Sequence, residues 1–277
     1  MFKMARRIQP ASTFRKCSSL AFVPRHSQSR NEDIEKLTEF LTKYNNIFLL
    51  TGAGISTESG IPDYRSEGVG LYATSTKRPI QHKVFMESSK ARQSYWARNY
   101  IGWPRWSNFQ PNINHLTLAR WEATGRISHL VTQNVDQLHL KAGSRDITEL
   151  HGTNSVVTCM SCSHRMPRML FQQILSEANP SMIPRCAEIR PDGDVELSAE
   201  EVTNFRVPDC PKCGGILKPF VVFFGDNVPR PRVDQVRKKL SNSDSMLVIG
   251  SSLYVFSAFR KSVVKCNPTI YSIYFTM

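Results

Sequence analysis

Ile47-Phe48-Leu49-Leu50-Thr51-Gly52-Ala53-Gly54-Ile55-Ser56 decides the fold. Four consecutive apolar side chains, Ile47 to Leu50, show no polar alternation, so a strand here is buried on both faces. Such a strand belongs to a parallel sheet with helices on either side. It ends in Gly52-Ala53-Gly54, where backbone N–H groups can approach a phosphate with no Cβ in the way. The construction recurs. His129-Leu130-Val131-Thr132 runs into Gln133-Asn134-Val135-Asp136, and Ser245-Met246-Leu247-Val248-Ile249 runs into Gly250-Ser251-Ser252. Each buried run is followed by glycine, amide, hydroxyl or acid, and open parallel sheets bind ligands at that edge. Between the runs, Asn31 is placed to cap a helix with Ile34, Leu37, Phe40, Leu41 and Tyr44 on its apolar face. Asn114 to Gly125 reads as a second capped helix, with Leu116, Leu118, Ala119 and Trp121. The expected fold class is α/β, a doubly wound, Rossmann-like parallel sheet.

One stretch interrupts the alternation. Cys159-x-x-Cys162 and Cys210-x-x-Cys213 offer four thiolates, a tetrahedral set that suits Zn²⁺. Neither pair leaves a ligand position open for water, so the metal is expected to be structural, one per chain. Ser163 to Asp209 between the pairs is longer than a compact ribbon needs and is expected to loop out. The expected division is a leader at 1–30, a nucleotide-binding domain of 31–152 with 218–277, and a zinc module at 153–217. Cys17, Cys186 and Cys266 are scattered singly, which reads as a reducing compartment rather than a disulfide framework.

The chain has 277 residues, 40% of them hydrophobic, and a net charge of +13. No apolar run approaches the ~20 residues that span a bilayer, so no membrane association is expected. Seven of the basic residues fall within 1–30: Lys3, Arg6, Arg7, Arg15, Lys16, Arg25 and Arg30. The first acid is Glu32, and serines are frequent before it. A basic, hydroxylated, acid-free segment without a continuous apolar core has the composition of a mitochondrial transit peptide. The remaining +6 shows no aromatic-interleaved basic stripe, so no nucleic-acid partner is indicated.

Beyond the glycine loop, Gly60-Ile61-Pro62-Asp63-Tyr64-Arg65 gathers a rigid turn, an acid, an aromatic and a guanidinium. Ile61 and Asp63 suit an amide group there, and Arg65 an anionic phosphate. His151 follows the apolar Ile147–Leu150 run and precedes Gly152, at the ligand edge of the sheet.

These segments, with the two C-x-x-C pairs and Val222-Phe223-Phe224-Gly225-Asp226, stand in the order found in the sirtuins. The chain resembles that family over roughly residues 32–260. Tyr64-Arg65-Ser66-Glu67, Val69-Gly70-Leu71-Tyr72, Arg78-Pro79-Ile80-Gln81-His82, Tyr95-Trp96-Ala97-Arg98-Asn99 and Pro191-Asp192-Gly193-Asp194 narrow it to the mitochondrial class II branch.

The resemblance implies an NAD⁺-dependent protein-lysine deacylase of the mitochondrial matrix, including lipoyl and biotinyl removal, with NAD⁺ consumed as co-substrate. Gly52, Ala53, Gly54, Ile55, Ser56 and Arg65 would hold the NAD⁺ phosphates. Ile61 and Asp63 would hold the nicotinamide carboxamide, with Asp136 in the same pocket. Gly60, Pro62, Tyr64, Tyr72 and Val135 would complete these walls. Gln133 and Asn134 would address the nicotinamide ribose, and Gly250, Ser251 and Ser252 would meet the phosphate–ribose region from the opposite strand. His151 would be the general base, taking a ribose hydroxyl proton after the acyl oxygen has displaced nicotinamide. The acyl group would leave as O-acyl-ADP-ribose. Val222, Phe223, Phe224 and Gly225 would line the acyl-lysine channel and pair with the substrate backbone as an added strand.

Tyr95 and Arg98, at i and i+3 on an expected helix, would share a face; by analogy with the Tyr-x-x-Arg pair of class III sirtuins they would receive a carboxylated acyl chain, and a solvated helix face stays open beside that reading. The partners expected are NAD⁺ and acyl-lysine proteins. Mono-ADP-ribosyl transfer in the same site stays open. So does a partner-binding product without turnover, because the Asn-x-Gly turn that holds the adenosine ribose in the family is not found after Ser252. That reading leaves the adenosine half of the site incomplete, although Ile270, Ile273 and Phe275 suit a strand.

Residues 1 to about 30 are expected to be removed on import. N-terminal sequencing of organellar protein should then start near Gln28–Glu32, and an intact Met1 on matrix protein would contradict it.

Overall fold

The computed structural model describes residues 19–76, 78–183, 195, 197–253 and 274–275. A helical turn at Ser19–Phe22 leads to α1 (Asn31–Lys43), β1 (Ile47–Thr51) and a seven-residue 3-10 helix, Ala53–Ser59. Four helices follow: α2 (Leu71–Thr74), α3 (His82–Glu87), α4 (Ser89–Ser107) and α5 (Ile113–Ala123). Then come β2 (Ile127–Thr132), α6 (Leu138–Lys141), β3 (Ile147–Glu149), β4 (Gly152–Cys159), β5 (Arg165–Pro167) and α7 (Arg168–Ala178). The described chain closes with α8 (Ala199–Thr203), β6 (Leu217–Val221), α9 (Arg230–Ser241), β7 (Ser245–Ile249) and β8 (Tyr274–Phe275).

The main sheet has the order β3-β2-β1-β7-β8, and every pairing in it is parallel. β1 sits at the centre with all five residues buried. Its period of two sends Phe48 and Leu50 to one face, where they pack with Val236 and Leu240 of α9. Ile47 and Leu49 go to the other face, against Phe40 of α1 and Leu118 of α5. Both faces are covered, as the unbroken apolar run requires. The expected helix starts shift slightly. Asn31 is the first residue of α1, with Arg30 at the cap position and no capping side chain. The cap of α5 is Asn112, whose Oδ1 accepts from Asn114 N at 3.0 Å, so Asn114 is already inside.

The second sheet, β5-β4-β6, is antiparallel. Ser163–Asp209 does not simply loop out of it. β5 is part of the sheet, and Phe171 and Leu175 of α7 are fully buried. Nor do residues 153–217 make a core of their own. Phe171, Val157 and Leu217 share one cluster with Phe85, Trp96, Tyr100 and Trp103 of α3 and α4. Trp96 has no exposed surface, and its Nε1 donates to Leu217 O at 3.1 Å. Pro191-Asp192-Gly193-Asp194 lies outside the described residues, as do Cys17, Cys186 and Cys266. Of the segment after Ser252, Tyr274–Phe275 pairs with Val248 and Ile249 of β7.

The segment read as leader is described from Ser19 onward. Ser19–Phe22 packs against the 3-10 helix at Ala53–Ser59, and Pro24 borders the main cavity, so this part is not a free arm. Among the described residues no helix is long and apolar enough to cross a membrane.

Cys159 ends β4 and Cys162 follows it, while Cys210 and Cys213 precede β6. Their four Sγ atoms lie within 4.8 Å of one another, with Cys159–Cys213 at 3.5 Å and Cys162–Cys210 at 3.9 Å. Sulfurs about 2.3 Å from a tetrahedral zinc stand about 3.8 Å apart, so the cluster fits Zn²⁺. Four sulfurs and no carboxylate or imidazole make a closed, structural donor set. The metal would tie the end of β4 to the turn before β6, and such sites carry about 10–16 kcal/mol of apparent binding energy. Cys159→Ser or Cys210→Ser should therefore lose zinc and lower the melting temperature. Metal analysis returning one zinc per chain in either variant would contradict this ligand set.

Candidate functional site

The carboxyl ends of β1, β2 and β7 open into a cavity of about 940 Å³, within the usual range for cofactor-sized sites. Ala53, Gly54, Ile55, Ser56, Ile61, Asp63, Tyr64 and Arg65 form its wall after β1. Gln133, Asn134, Val135 and Asp136 come from β2, and Gly250, Ser251 and Ser252 from β7. His151 and the Val222–Gly225 stretch close the other side. Almost every residue singled out in the sequence thus meets in one space.

Gly52, Gly60 and Pro62 support this wall rather than line it. A Cβ on Gly52 would stand 2.7 Å from Gly250 O and from Ser251 Cβ, so two strand ends cross there with no room for a side chain. Gly54 N donates to Gly250 O at 2.9 Å across the same crossing. Gly250 has φ +64° and its own Cβ would meet Ile55 N at 2.4 Å, so glycine is required on both counts. Tyr72 is not in the lining either. Its ring lies under Arg65, 5.3 Å from Cζ, and under Arg78 at 4.7 Å, which holds the Arg65 guanidinium on an aromatic face.

The acidic and amide groups are bound to one another. Ser56 Oγ donates to Asp136 Oδ2 at 2.7 Å, and Asn134 Nδ2 donates to Ser56 Oγ and Gly52 O, both at 3.1 Å. Burial pushes the Asp136 carboxyl up, partly offset by the Leu138 N–H and the Ser56 hydroxyl. Asp63 accepts from Ser66 N at 2.9 Å and from the Ser66 hydroxyl, which fixes the turn carrying Arg65.

His151 stands where the two sheets meet. Its Nδ1 lies 2.9 Å from Gln133 O. A carbonyl only accepts, so Nδ1 carries the proton and the neutral ring keeps its lone pair on Nε2. Burial holds His151 below the ordinary imidazole value of 6.5; the Gln133 carbonyl opposes that shift and Arg232 adds to it. The ring is therefore an unprotonated base at neutral pH. Its own carbonyl accepts from Val222 N at 2.8 Å, joining the base to the apolar segment that follows β6.

Two groups of functional weight lie behind these residues and were not singled out in the sequence. His115 and His139 meet edge to face at 4.8 Å behind Ser56, with His115 Nε2 3.5 Å from Ser56 Oγ. Burial brings them down to about 4 and about 3, so both are neutral. The signal for His115 was its spacing from Asn112, since its Nδ1 completes the cap of α5. Lys218 is 4% exposed; its Nζ lies 4.3 Å from the Phe223 ring centroid and donates to Val221 O. Burial brings it down to about 8. It braces the strand that forms the apolar wall.

Tyr95 lines the cavity, packed on Phe85 and Phe223, whereas half-buried Arg98 is not among the lining residues. Three residues advance a helix by about 300°, which turns Arg98 about 60° around α4 from Tyr95 and leaves it outside the lining. The guanidinium taken into the interior is that of Arg168, 1% exposed, which donates to Asn99 Oδ1 through Nε at 3.0 Å and Nη2 at 2.7 Å.

Gly250→Ala should disrupt the β1–β7 crossing. Nucleotide affinity should fall at least about tenfold, since a Cβ below 3.0 Å of backbone forces the glycine loop aside. Wild-type NAD⁺ affinity by calorimetry would contradict the assigned crossing.

The Sir2 family model matches residues 52–257. The chain is 56% identical over 239 residues to the NAD-dependent protein deacylase Sirt4 of Drosophila melanogaster, covering 86% of this chain and 77% of that protein. It is 50% identical over 251 residues to the NAD-dependent protein lipoamidase sirtuin-4, mitochondrial, of Homo sapiens, covering 91% and 80%. Among solved structures, a Sir2 homolog–NAD complex superposes with a TM-score of 0.62 at 28% identity, covering 90% of this chain and 84% of that one. A Sir2–p53 peptide–NAD⁺ structure does so with 0.62 at 25% identity, covering 87% and 86%. The span matched by the family model contains the glycine crossing and all four cysteines, and the chain belongs to the Sir2 family.

Proposed function

We propose that this chain is an NAD⁺-dependent protein-lysine deacylase of the mitochondrial matrix, acting on acylated matrix proteins, with His151 as its general base. The family and the relatives named as deacylases and lipoamidases support the reaction class. The relative from Homo sapiens is named mitochondrial, which supports the organelle. The observation that carries the residue roles is the placement of His151. It stands between a phosphate-sized glycine loop and an apolar strand, with Nδ1 bound to Gln133 O and Nε2 unprotonated.

NAD⁺ supplies an electrophilic ribose carbon when nicotinamide leaves. The N–H groups of the Gly52–Ser56 loop and the guanidinium of Arg65 hold the pyrophosphate. Gly60 and Pro62 set the turn that presents Ile61, Asp63 and Tyr64 to the nicotinamide, with Asp136 and Val135 on its far side. Gln133 and Asn134 hold the adjoining ribose, and Gly250, Ser251 and Ser252 meet it from β7. Val222, Phe223, Phe224 and Gly225 bind the aliphatic lysine stem, and backbone groups of this extended segment pair with the substrate peptide. The acyl oxygen replaces nicotinamide on the ribose. His151 Nε2 then accepts a proton from a ribose hydroxyl, so that this oxygen can attack the acyl carbon. Addition of one water to the acyl carbon then expels the lysine amine and frees the first ribose oxygen, so free lysine and O-acyl-ADP-ribose are the products. Tyr95 limits the acyl end of the channel.

His151→Ala should lower single-turnover deacylation by at least about a hundredfold, the usual contribution of a positioned base. Its zinc content and melting temperature should match those of the wild type. In the wild type, activity should fall with pH only below the ordinary imidazole range, because the lowered His151 must be protonated to lose its base. Near-wild-type turnover by the variant, or an acid limb above that range, would overturn the assignment.

A further inference from the structure

A second cavity, about 460 Å³, lies behind His151. Its walls include Thr148 and Glu149 on the edge strand β3, Arg165 of β5, Phe220 of β6, and Pro229 and Arg232 around the start of α9. Two guanidiniums crowd one ring. Arg165 Cζ is 4.3 Å and Arg232 Cζ 5.5 Å from the Phe220 centroid. A ring attracts one cation, but two held this close repel each other. Among the described residues neither has a carboxylate within ion-pair distance. The Arg232 Nη1 hydrogen bond goes to a neutral carbonyl, Leu150 O, at 2.9 Å. Glu149 is the one acid in the lining. Burial pushes it up to about 7, and its Oε1 is buried without a hydrogen-bond partner. The adjoining α9 begins with no capping side chain, so its positive end adds to the field.

One exposed and one half-buried guanidinium, neither in an ion pair, beside a carboxyl that is protonated as often as not near neutrality are complementary to an oxyanion. The same peptide walls both cavities. His151 lines the first, Gly152 the second, and Arg232 grips the carbonyl between Leu150 and His151. Gly152 has no slack. Its φ is +82°, and a Cβ there would fall 2.0 Å from Phe220 O, so the Phe220 wall and the His151 turn move together.

We propose that this second cavity binds a small multiply charged oxyanion, a phosphate or a short dicarboxylate, between Arg165 and Arg232, and that its occupancy is transmitted to His151. The charged group acting on the His151 ring is Arg232 from α9; Arg165 from β5 and Glu149 from β3 act in turn on Arg232, and Asp136 on Glu149. Arg232 disfavours the protonated form of His151. An anion on Arg232 removes that pressure, strengthens the base and moves the acid limb of the rate profile upward in pH.

The test is titration of the zinc-loaded full chain with succinate and, separately, with inorganic phosphate. The main cavity is kept filled by saturating ADP-ribose, and binding is followed by calorimetry and by imidazole NMR of His151. Arg165 is exposed and makes no hydrogen bond among those described, so Arg165→Gln removes one cation without touching the Leu150 contact. Saturable millimolar or tighter binding, weakened at least about tenfold in Arg165→Gln and partly kept in Arg165→Lys, supports the site. Whichever anion saturates names the source. Failure of both anions to saturate the wild type, or equal affinity in wild type and Arg165→Gln, overturns it. Binding that leaves the His151 titration unmoved overturns the coupling. The binding arm needs no turnover, so its failure is separate from any failure of the deacylase reading.

Discussion

The site depends on a backbone crossing. Where β1 and β7 end, Gly52 and Gly54 pass over Gly250 at distances that exclude any side chain, joined by Gly54 N to Gly250 O. Several polar groups of the main cavity are positioned from that crossing or from its neighbour β2. Asn134 reaches back to Gly52 O, Ser251 Oγ donates to Gln133 Oε1 at 3.0 Å, and Gln133 O orients His151. A parallel sheet buried on both faces keeps such a crossing rigid, because Phe48 and Leu50 on one side and Ile47 and Leu49 on the other leave no surface to relax into.

The second constraint is the seam between the two sheets. Val222 N on His151 O, Gly152 under Phe220 O and Arg232 on Leu150 O fasten His151 to β6 and the apolar segment that follows it. Zinc fits far from this chemistry yet bears on it, since it would hold β4 against β6 at the end opposite Gly152. Loss of the metal should therefore loosen the apolar Val222–Gly225 wall and His151 together, through packing and not through any role in bond making.

Much of this was legible in the sequence. Unbroken apolar runs marked β1, β2 and β7, and residues after their ends marked the site, because strand periodicity and the ligand edge are local properties. The four cysteines were equally plain. What was not legible depends on contacts distant in sequence. The joint core of α3 and α4 with α7 and β4 rests on Trp96, Trp103 and Phe171, whose partners no spacing rule connects. For the same reason Ser163–Asp209 read as an insertion although Phe171 and Leu175 are fully buried. Arg98 and Arg168 show the limit most clearly. The motif spacing pointed to Arg98, whereas the fold buries Arg168, which stands next to a proline in a segment with no motif. The arginines around Phe220 were likewise invisible, since β5, β6 and α9 meet only in space.

The central claim is that one cavity couples nicotinamide release to acyl removal. The most direct measurement is the ratio of nicotinamide released to acyl-lysine lost, on a defined acyl-peptide with product mass spectrometry. The account predicts one nicotinamide for each lysine freed, with every acyl group recovered on ADP-ribose. Acyl loss without NAD⁺, or nicotinamide release with ADP-ribose attached to protein and the acyl-lysine intact, would contradict it.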